Sequence, residues 1–434
     1  MNNILKIILI FIFLTNCSFN KNSKFWSSSK QIEKEVKQNI KEIFEDDEVL
    51  NLELNPSLPI RLNSKLSSMN LIDNYTNNSG RINFDGNLKN ISKFKFSKIE
   101  NFYQYDPSIL PHKKSIIFFD NKGSILKFDE NSKLIWKKNF YKKSEKKSNP
   151  VLLFGNQGKT LIVVDNISKY YALNINSGEL IWSKKNTSSF NSQIKIYKDK
   201  FYLIDSDNIL RCFSIKDGSE LWKIKTENSL IKSQKKLSMV IVKEKIYFNN
   251  SIGDISAVSI NDGKLLWQFP TLSNFDAKNF FSLKTSDLVA NNESLYFSNN
   301  KNNFYSIDLN SGTINWKQNI NSDLRPTITD NYIFTVSLEG YFIVIKKDTG
   351  EIIRTNNIFK NLKKKKKFEL KPVGFILGKN DIYLTTNNGK LLVIDVKNGT
   401  TESIIKIDNE KISRPFILND NLFVVKDNAI IKLN

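Results

Sequence analysis

Between about residue 110 and the C-terminus, apolar residues come in short runs separated by clusters of Asn, Asp, Ser and Gly. Lys245-Ile246-Tyr247-Phe248 is followed by Gly253 and then Ile255-Ser256-Ala257-Val258. Ser294-Leu295-Tyr296-Phe297 precedes Asn303-Phe304-Tyr305-Ser306-Ile307, and Tyr332 to Val336 precedes Gly340 and Tyr341 to Ile345. Runs of this length, rich in β-branched and aromatic residues and bounded by turn formers, predict short antiparallel strands. The three- to four-residue spacing of a helical repeat is missing from them.

A phrase recurs on this background: an apolar strand, Asp or Asn, a few polar residues, Gly, three residues, then Trp. It reads Asn174 to Gly178 with Trp182, Asp217-Gly218 with Trp222, Asp262-Gly263 with Trp267, and Asp308 to Gly312 with Trp316. An earlier copy has Ser132 in the glycine slot and Trp136. Two later copies keep Gly350 and Gly399 but carry Arg354 and Ser403 where Trp would stand. The slots lie 38 to 49 residues apart, and five of the six Trp occupy one position. Units of this length, each supplying about four strands, have the period of a β-propeller. The glycine supplies the positive φ of a tight turn. The indoles of Trp136, Trp182, Trp222, Trp267 and Trp316 are expected to wedge against the neighbouring sheet and lock blade to blade.

Seven slots do not exhaust the strands. Arg414 to Leu418, Asn421 to Val425 and Ala429 to Leu433 give three more, and the chain then ends. A strand over Ile91 to Ile99, with Phe94 and Phe96 alternating, can complete that last sheet and remove two open edges. The expected fold is all-β, an eight-bladed propeller of four-stranded antiparallel blades over residues 76–434; seven blades is the alternative.

Composition agrees with a large half-buried sheet structure. Hydrophobic residues make up 40% of 434, with 31 Phe and 14 Tyr. The net charge of +21 is spread along the chain as Lys. It reads either as attraction to an acidic partner or lipid surface, or as general Lys and Asn enrichment. No nucleic-acid motif accompanies it, and no nucleic-acid partner is expected. Lys363 to Lys367 is read as a solvated loop, with contact to anionic lipid as the functional alternative.

The N-terminus has a different character. Lys6 precedes an unbroken apolar stretch, Ile7 to Leu14, too short to span a bilayer but suited to a signal peptide. It runs into Leu14-Thr15-Asn16-Cys17, which resembles a bacterial lipobox, with Asn16 where a smaller residue is usual. That resemblance implies a signal peptide over 1–16, acylation of Cys17 and, with Ser18 rather than Asp next, an outer-membrane address facing the periplasm. Residues 17–75 read as a lipidated tether. Ile32, Val36, Ile40, Ile43 and Phe44 predict one short amphipathic helix over Gln31–Phe44. With Cys17 acylated, Cys212 is left without a disulfide partner and reads as a small buried hydrophobe in the strand Ile209 to Phe213.

The blade phrase resembles the PQQ-type propeller repeat. Lipobox, tether, eight blades and a last blade that stops at its third strand together resemble the BamB-type family of outer-membrane protein assembly lipoproteins. The resemblance implies a non-enzymatic scaffold that binds the periplasmic domains of a BamA-like barrel protein, aids insertion of outer-membrane proteins and meets their unfolded chains as clients. It also implies an inter-blade loop of Leu-x-Leu-Arg type in that contact. The nearest match is Leu230-Ile231-Lys232, where Lys replaces Arg and lacks its bidentate fork. Asp276 and Ser282 to Asp287 stand where the family has an acidic loop, without a clear match.

PQQ-dependent dehydrogenases share the repeat, but the family's adjacent Cys pair is missing here. The single histidine, His112, reads as a solvated residue in a turn before a strand and cannot alone form a metal site. Asp residues ahead of the glycine slots read as turn formers. No cofactor, metal or catalytic residue is predicted. A lipoprotein binding glycans or peptides on a propeller face is the alternative, and a quinoprotein dehydrogenase a more distant one.

Overall fold

The computed structural model describes residues 60–62, 66–67, 80–100, 102–104, 107–227, 235–271, 283–360 and 369–434. Eight four-stranded antiparallel sheets succeed one another along the chain. Blade 1 is Leu110–His112, Ser115–Phe119, Ile125–Asp129 and Leu134–Lys138. Blade 3 is Lys195–Tyr197, Lys200–Ile204, Ile209–Ser214 and Glu220–Lys225. Blades 2 and 4 to 7 repeat the same up-and-down order. First strands of neighbouring blades approach one another, from blade 2 through blade 5, so they surround the axis. Fourth strands, such as Leu180–Lys185, are the exposed ones and form the rim.

The eighth blade is built from both ends of the chain. Phe416–Leu418, Asn421–Lys426 and Ala429–Leu433 are joined on the outside by Asn90–Lys95, which pairs antiparallel with Ala429–Leu433. Lys89 and Asn434 exchange both backbone hydrogen bonds, at 2.7 and 3.0 Å. The closing strand is shorter than the expected Ile91–Ile99. At Phe96 the chain leaves the ladder, and its ring packs at 4.9 Å from Phe118 of blade 1. Phe94 is fully buried and meets Phe128 of blade 1 edge-on at 5.7 Å. Eight blades therefore replace the seven-blade alternative. His112 is also placed differently from its expected turn: it ends the inner strand of blade 1, opposite Ser115. Pro111 does not prevent that strand, because an inner strand has a free edge where a missing N–H costs nothing.

The slot residue of the blade phrase takes positive φ in all seven copies, as at Gly263 (+74°) and Ser132 (+64°), and the six glycines present a bare Cα to the previous blade. A Cβ on Gly263 would lie 2.6 Å from Trp222, and one on Gly218 would lie 2.6 Å from Trp182. Trp136, Trp267 and Trp316 lie in the same way against Gly178, Gly312 and Gly350. Blade 6 carries Arg354 in the Trp slot, and there Gly399 faces Phe342 and Asn356.

The residue before the Trp slot is a β-bulge in each of blades 1 to 7. In blade 2 Ala172 pairs with Trp182 and Leu173 with Leu180, leaving Ile181 unpaired. The equivalents are Ile135, Leu221, Leu266, Asn315, Ile353 and Glu402. A bulge adds local twist and re-aims the next side chain. Here that side chain is the indole, turned onto the next blade.

An N-terminal strap lies against blades 6 to 8. Gly80 N–H donates to Ile328 O at 3.2 Å, and Lys379 N–H to Phe84 O at 3.0 Å. Arg81 is buried, and its guanidinium donates to the carbonyls of Leu62, Gly378 and Lys379. Arg81–Ile82 pairs in parallel with Leu66–Ser67. Ile60 is buried in one apolar cluster with Phe334 and Phe375.

Candidate docking face

In a four-stranded meander the second-to-third turn and the connection to the next blade share one end, and the other two turns share the opposite end. The tight-turn face is closed by one repeated bond, in which the residue after the third strand donates to the first turn of its own blade. Ile215 N–H to Asp199 O and Val396 N–H to Asn380 O are examples, at 3.0 and 3.1 Å. The connection face carries the longer segments.

In blades 1 to 4 the second-to-third turn on that face is capped by a side chain at the end of the second strand. Oδ1 of Asp120, Asp165, Asp205 and Asn250 accepts the backbone N–H groups two and four residues later, at 2.7 to 3.1 Å. The second carboxylate oxygen is committed differently in each blade. Asp120 pairs with Lys137 at 2.8 Å. Asp165 accepts the Tyr141 hydroxyl at 2.5 Å. Asp205 pairs with Arg211 at 2.8 Å, and Arg211 also meets Glu220 at 2.5 Å. Burial raises the carboxyl of Asp165 and pushes the Tyr141 hydroxyl far up. These buried acids are satisfied as acceptors, so the arrangement holds turns and does not present a reactive group. The blade pattern did not single them out. Their signal was an Asp or Asn ending the second apolar run, as in Phe119-Asp120, Val164-Asp165 and Ile204-Asp205.

Between blades 3 and 4 the connection is tied down at both ends. Asn208, buried in the blade 3 turn, donates to Glu227 O at 2.8 Å and accepts Ser251 N–H at 3.0 Å. Leu237 exchanges backbone bonds with Asn191 and Gln193 at 2.8 and 2.9 Å. Leu230, Ile231 and Lys232 belong to the intervening segment and lie outside the described residues. Between blades 4 and 5, Thr271 Oγ1 donates to Gly253 O at 3.0 Å and Lys284 N–H to Asn300 Oδ1 at 2.8 Å. Asp276 and Ser282 there, Lys363 to Lys367 further on, and Cys17 with the Gln31–Phe44 helix are likewise outside the described residues. Both anchored connections leave the same face in consecutive blades. Beside them Asp254 is buried, takes a hydrogen bond from Gln268 at 3.2 Å, and has its carboxyl pushed up to about 6 by burial and then by Glu227.

The remaining candidate reactive groups lie away from this face, Cys212 within a third strand and His112 at the first turn of blade 1. The Cys212 thiol is buried and pushed up to about 11 by burial. The His112 ring is held below its ordinary value by burial and by Lys127 and Lys113. Among the described residues no three or more His, Cys, Asp or Glu are grouped to hold a metal ion.

The family model described as outer membrane protein assembly factor BamB matches residues 121–356, more than half of the chain. The chain belongs to this family. Its structure is similar to BamB from Moraxella catarrhalis at 15% identity and a TM-score of 0.65, covering 80% of this chain and 99% of that one. Quinohemoprotein alcohol dehydrogenase from Comamonas testosteroni superposes with a TM-score of 0.61 at 7% identity, covering 82% and 78%. The computationally designed Ika8 protein does so at 0.57 and 11%, covering 78% and 99%. At these identities the likeness shows the propeller fold alone. No curated protein sequence matches the chain.

Proposed function

We propose that this BamB-family chain is a non-enzymatic scaffold lipoprotein of the outer-membrane barrel assembly machinery. The observation that carries the reading is the family match across residues 121–356, on a closed ring whose turn acids are all committed to structure. Cys17 is the acylation site, residues 1–16 are removed, residues 17–75 tether the propeller in the periplasm, and residues 76–434 form it. The connection face of blades 3 to 5 meets the periplasmic domains of a BamA-like barrel protein, with Leu230, Ile231 and Lys232 on the contacting segment. Unfolded outer-membrane proteins are its clients. Several acyl chains hold such a protein stably, at about 0.8 kcal/mol per buried CH₂.

The dehydrogenase likeness is confined to the fold. The residues do not fit a quinone enzyme of that kind: the two cysteines, Cys17 and Cys212, are far from adjacent, and a calcium-type acidic cluster is missing among the described residues. The test is affinity capture of the full chain from cell envelopes, with partners identified by mass spectrometry. Recovery of an outer-membrane barrel protein with wild type, and its loss with Leu230→Asp/Ile231→Asp, supports the reading. A Cys17→Ser chain is expected in the soluble fraction or unprocessed. Capture without any barrel protein, or a Cys17→Ser chain that is cleaved of residues 1–16 and still fractionates with membrane, refutes it.

A further inference from the structure

Lysine is common throughout the chain, yet the connections between blades do not share it evenly. The connection from blade 2 to blade 3, residues 186–194, holds no charged residue, and that from blade 5 to blade 6, residues 319–326, holds one Asp and one Arg. The connection from blade 1 to blade 2, residues 139–151, holds Lys142, Lys143, Lys146 and Lys147 against a single acid, Glu145. A general enrichment in lysine does not account for a filled connection beside an empty one.

The filled connection is held so that its lysines stay in water. Tyr141 and Pro150 are buried at its two feet, and Phe140 O accepts the Lys169 ammonium at 2.5 Å. Glu145 is turned back onto the fold: one carboxylate oxygen takes the Lys142 backbone N–H at 2.9 Å, and the other pairs with Lys185 at 3.1 Å. The acid is thereby neutralised. Lys142, Lys143, Lys146 and Lys147 have no carboxylate within ion-pair reach among the described residues, and neither has Lys122, exposed in the second-to-third turn of blade 1. Asn139 donates to Lys122 O at 2.9 Å and so ties that turn to the connection.

A third segment completes the surface. The stretch that leads from the closing strand to blade 1 crosses the same face, where Ile99 N–H donates to Asp427 O at 2.7 Å in the blade 8 turn. Glu100 accepts from Asn149 at 3.1 Å, and its N–H donates to Asn121 at 3.0 Å, which fastens the stretch to both lysine-bearing segments. On it stands Tyr103, 66% exposed and the most exposed large hydrophobic side chain among the described residues. Lysine and tyrosine together suit a water–lipid boundary, the amines drawn to phosphate and the ring presenting an apolar body with a polar tip.

We propose that this part of the connection face, over blades 8, 1 and 2, rests on a bilayer of anionic phospholipid, with the five lysines against headgroup phosphates and Tyr103 in the headgroup layer. A lipid surface fits better than an acidic protein. All five cations are lysines, point charges without the guanidinium fork that fixes a carboxylate in one register. Five such charges on separate turns match a fluid sheet of phosphates. The surface lies beside the connections of blades 3 to 5, and the proposal needs neither the barrel-protein contact nor acylation of Cys17.

The test is lysine footprinting. The full chain is mixed with vesicles of phosphatidylcholine alone, or of phosphatidylcholine and phosphatidylglycerol in equal parts, and treated with a limiting acetylating ester. Labelling at each lysine is read by mass spectrometry. Both vesicles offer the same apolar interior, so insertion of Ile7 to Leu14 is common to the two. Lys122, Lys142, Lys143, Lys146 and Lys147 are expected to be protected on the phosphatidylglycerol vesicles only, and to lose protection as salt rises. Lys133, Lys216 and Lys264, exposed on the tight-turn face, should label equally on both. With Lys142, Lys143, Lys146 and Lys147 all changed to Ser, half-protection of Lys122 should need about tenfold more phosphatidylglycerol or beyond. Barrel-protein capture by that variant should be unchanged, which separates this proposal from the scaffold reading. Should the variant fold poorly, the salt dependence and the site pattern in wild type decide. Equal labelling on the two vesicles, equal protection of the tight-turn lysines, or unchanged protection of Lys122 in a folded variant overturns the proposal. So does protection of the five by a purified outer-membrane barrel protein and not by phosphatidylglycerol.

Discussion

Two of the locking indoles offer a matched comparison. Trp182 and Trp222 occupy the same slot in blades 2 and 3, and each lies on the glycine of the next blade. Trp182 Nε1 donates to Ile215 O at 2.9 Å. Trp222 Nε1 is buried and has no acceptor among the described residues. Trp→Phe removes a similar apolar area at both sites, so that loss cancels in the difference. What remains is the N–H. At position 182 the substitution deletes a hydrogen bond with a net value of about 1 kcal/mol. At position 222 it deletes a buried unsatisfied donor, which relieves about 1 kcal/mol or more. Trp182→Phe is therefore expected to be the less stable variant by about 2 kcal/mol.

Urea unfolding followed by circular dichroism reads this as a difference in midpoint at equal slope. Trp267→Phe belongs between them, because Leu309 O keeps the Tyr247 hydroxyl at 3.0 Å after the indole at 3.1 Å is lost. Equal midpoints for the 182 and 222 variants, or a lower one for Trp222→Phe, would refute the claim that the N–H separates the two sites.

Other expectations follow from single groups. The Asp254 carboxyl, at about 6 in the folded chain against about 3.9 unfolded, binds its proton more tightly when folded. The stability it contributes is present below pH 4 and lost as pH rises through 6. Asp254→Asn should therefore gain on the order of 2 kcal/mol over wild type at pH 8 and nothing at pH 4; parallel urea midpoints across that range would contradict this. Arg81→Met removes three bonds to backbone carbonyls, so cleavage by thermolysin at Ile82, Phe84 or Leu88 should speed up by tenfold or more, and unchanged protection there would count against the strap. The Cys212 thiol should resist iodoacetamide at pH 8 until urea unfolds the chain, and rapid labelling of the native protein, read by mass spectrometry, would show the burial to be wrong.

The blade count and the ring closure were legible because they rest on local chemistry. A turn residue at positive φ with an indole four residues later recurs in blades 1 to 5, and turn residues punctuate the strands throughout. The bulge was hidden, since an extra residue in a strand changes register without changing composition. The substitute for one indole bond was hidden too. Trp136 Nε1 lacks an acceptor, and Lys127 Nζ reaches Ile175 O at 3.0 Å, the carbonyl equivalent to the one Trp182 uses in the next blade. A lysine in a third strand looks like a solvent-facing residue until its long stem is seen to be buried. Arg81 was equally silent: its partners are carbonyls at residues 62, 378 and 379, and carbonyls leave no mark in a sequence.

The locking is divided unevenly around the ring, and the division accounts for the strap. Blades 1 to 5 each contribute an indole to the next blade's glycine. Blades 6 and 7 have Arg354 and Ser403 in that slot, and blade 8 is assembled from both ends of the chain. The N-terminal strap lies against those three: Ile60 in the cluster of blades 6 and 7, Gly80 on Ile328 of blade 6, Arg81 and Phe84 on the first turn of blade 7, and Lys89 on Asn434 of blade 8. Where indoles are missing, the chain's own N-terminal segment supplies the apolar cover and the donors.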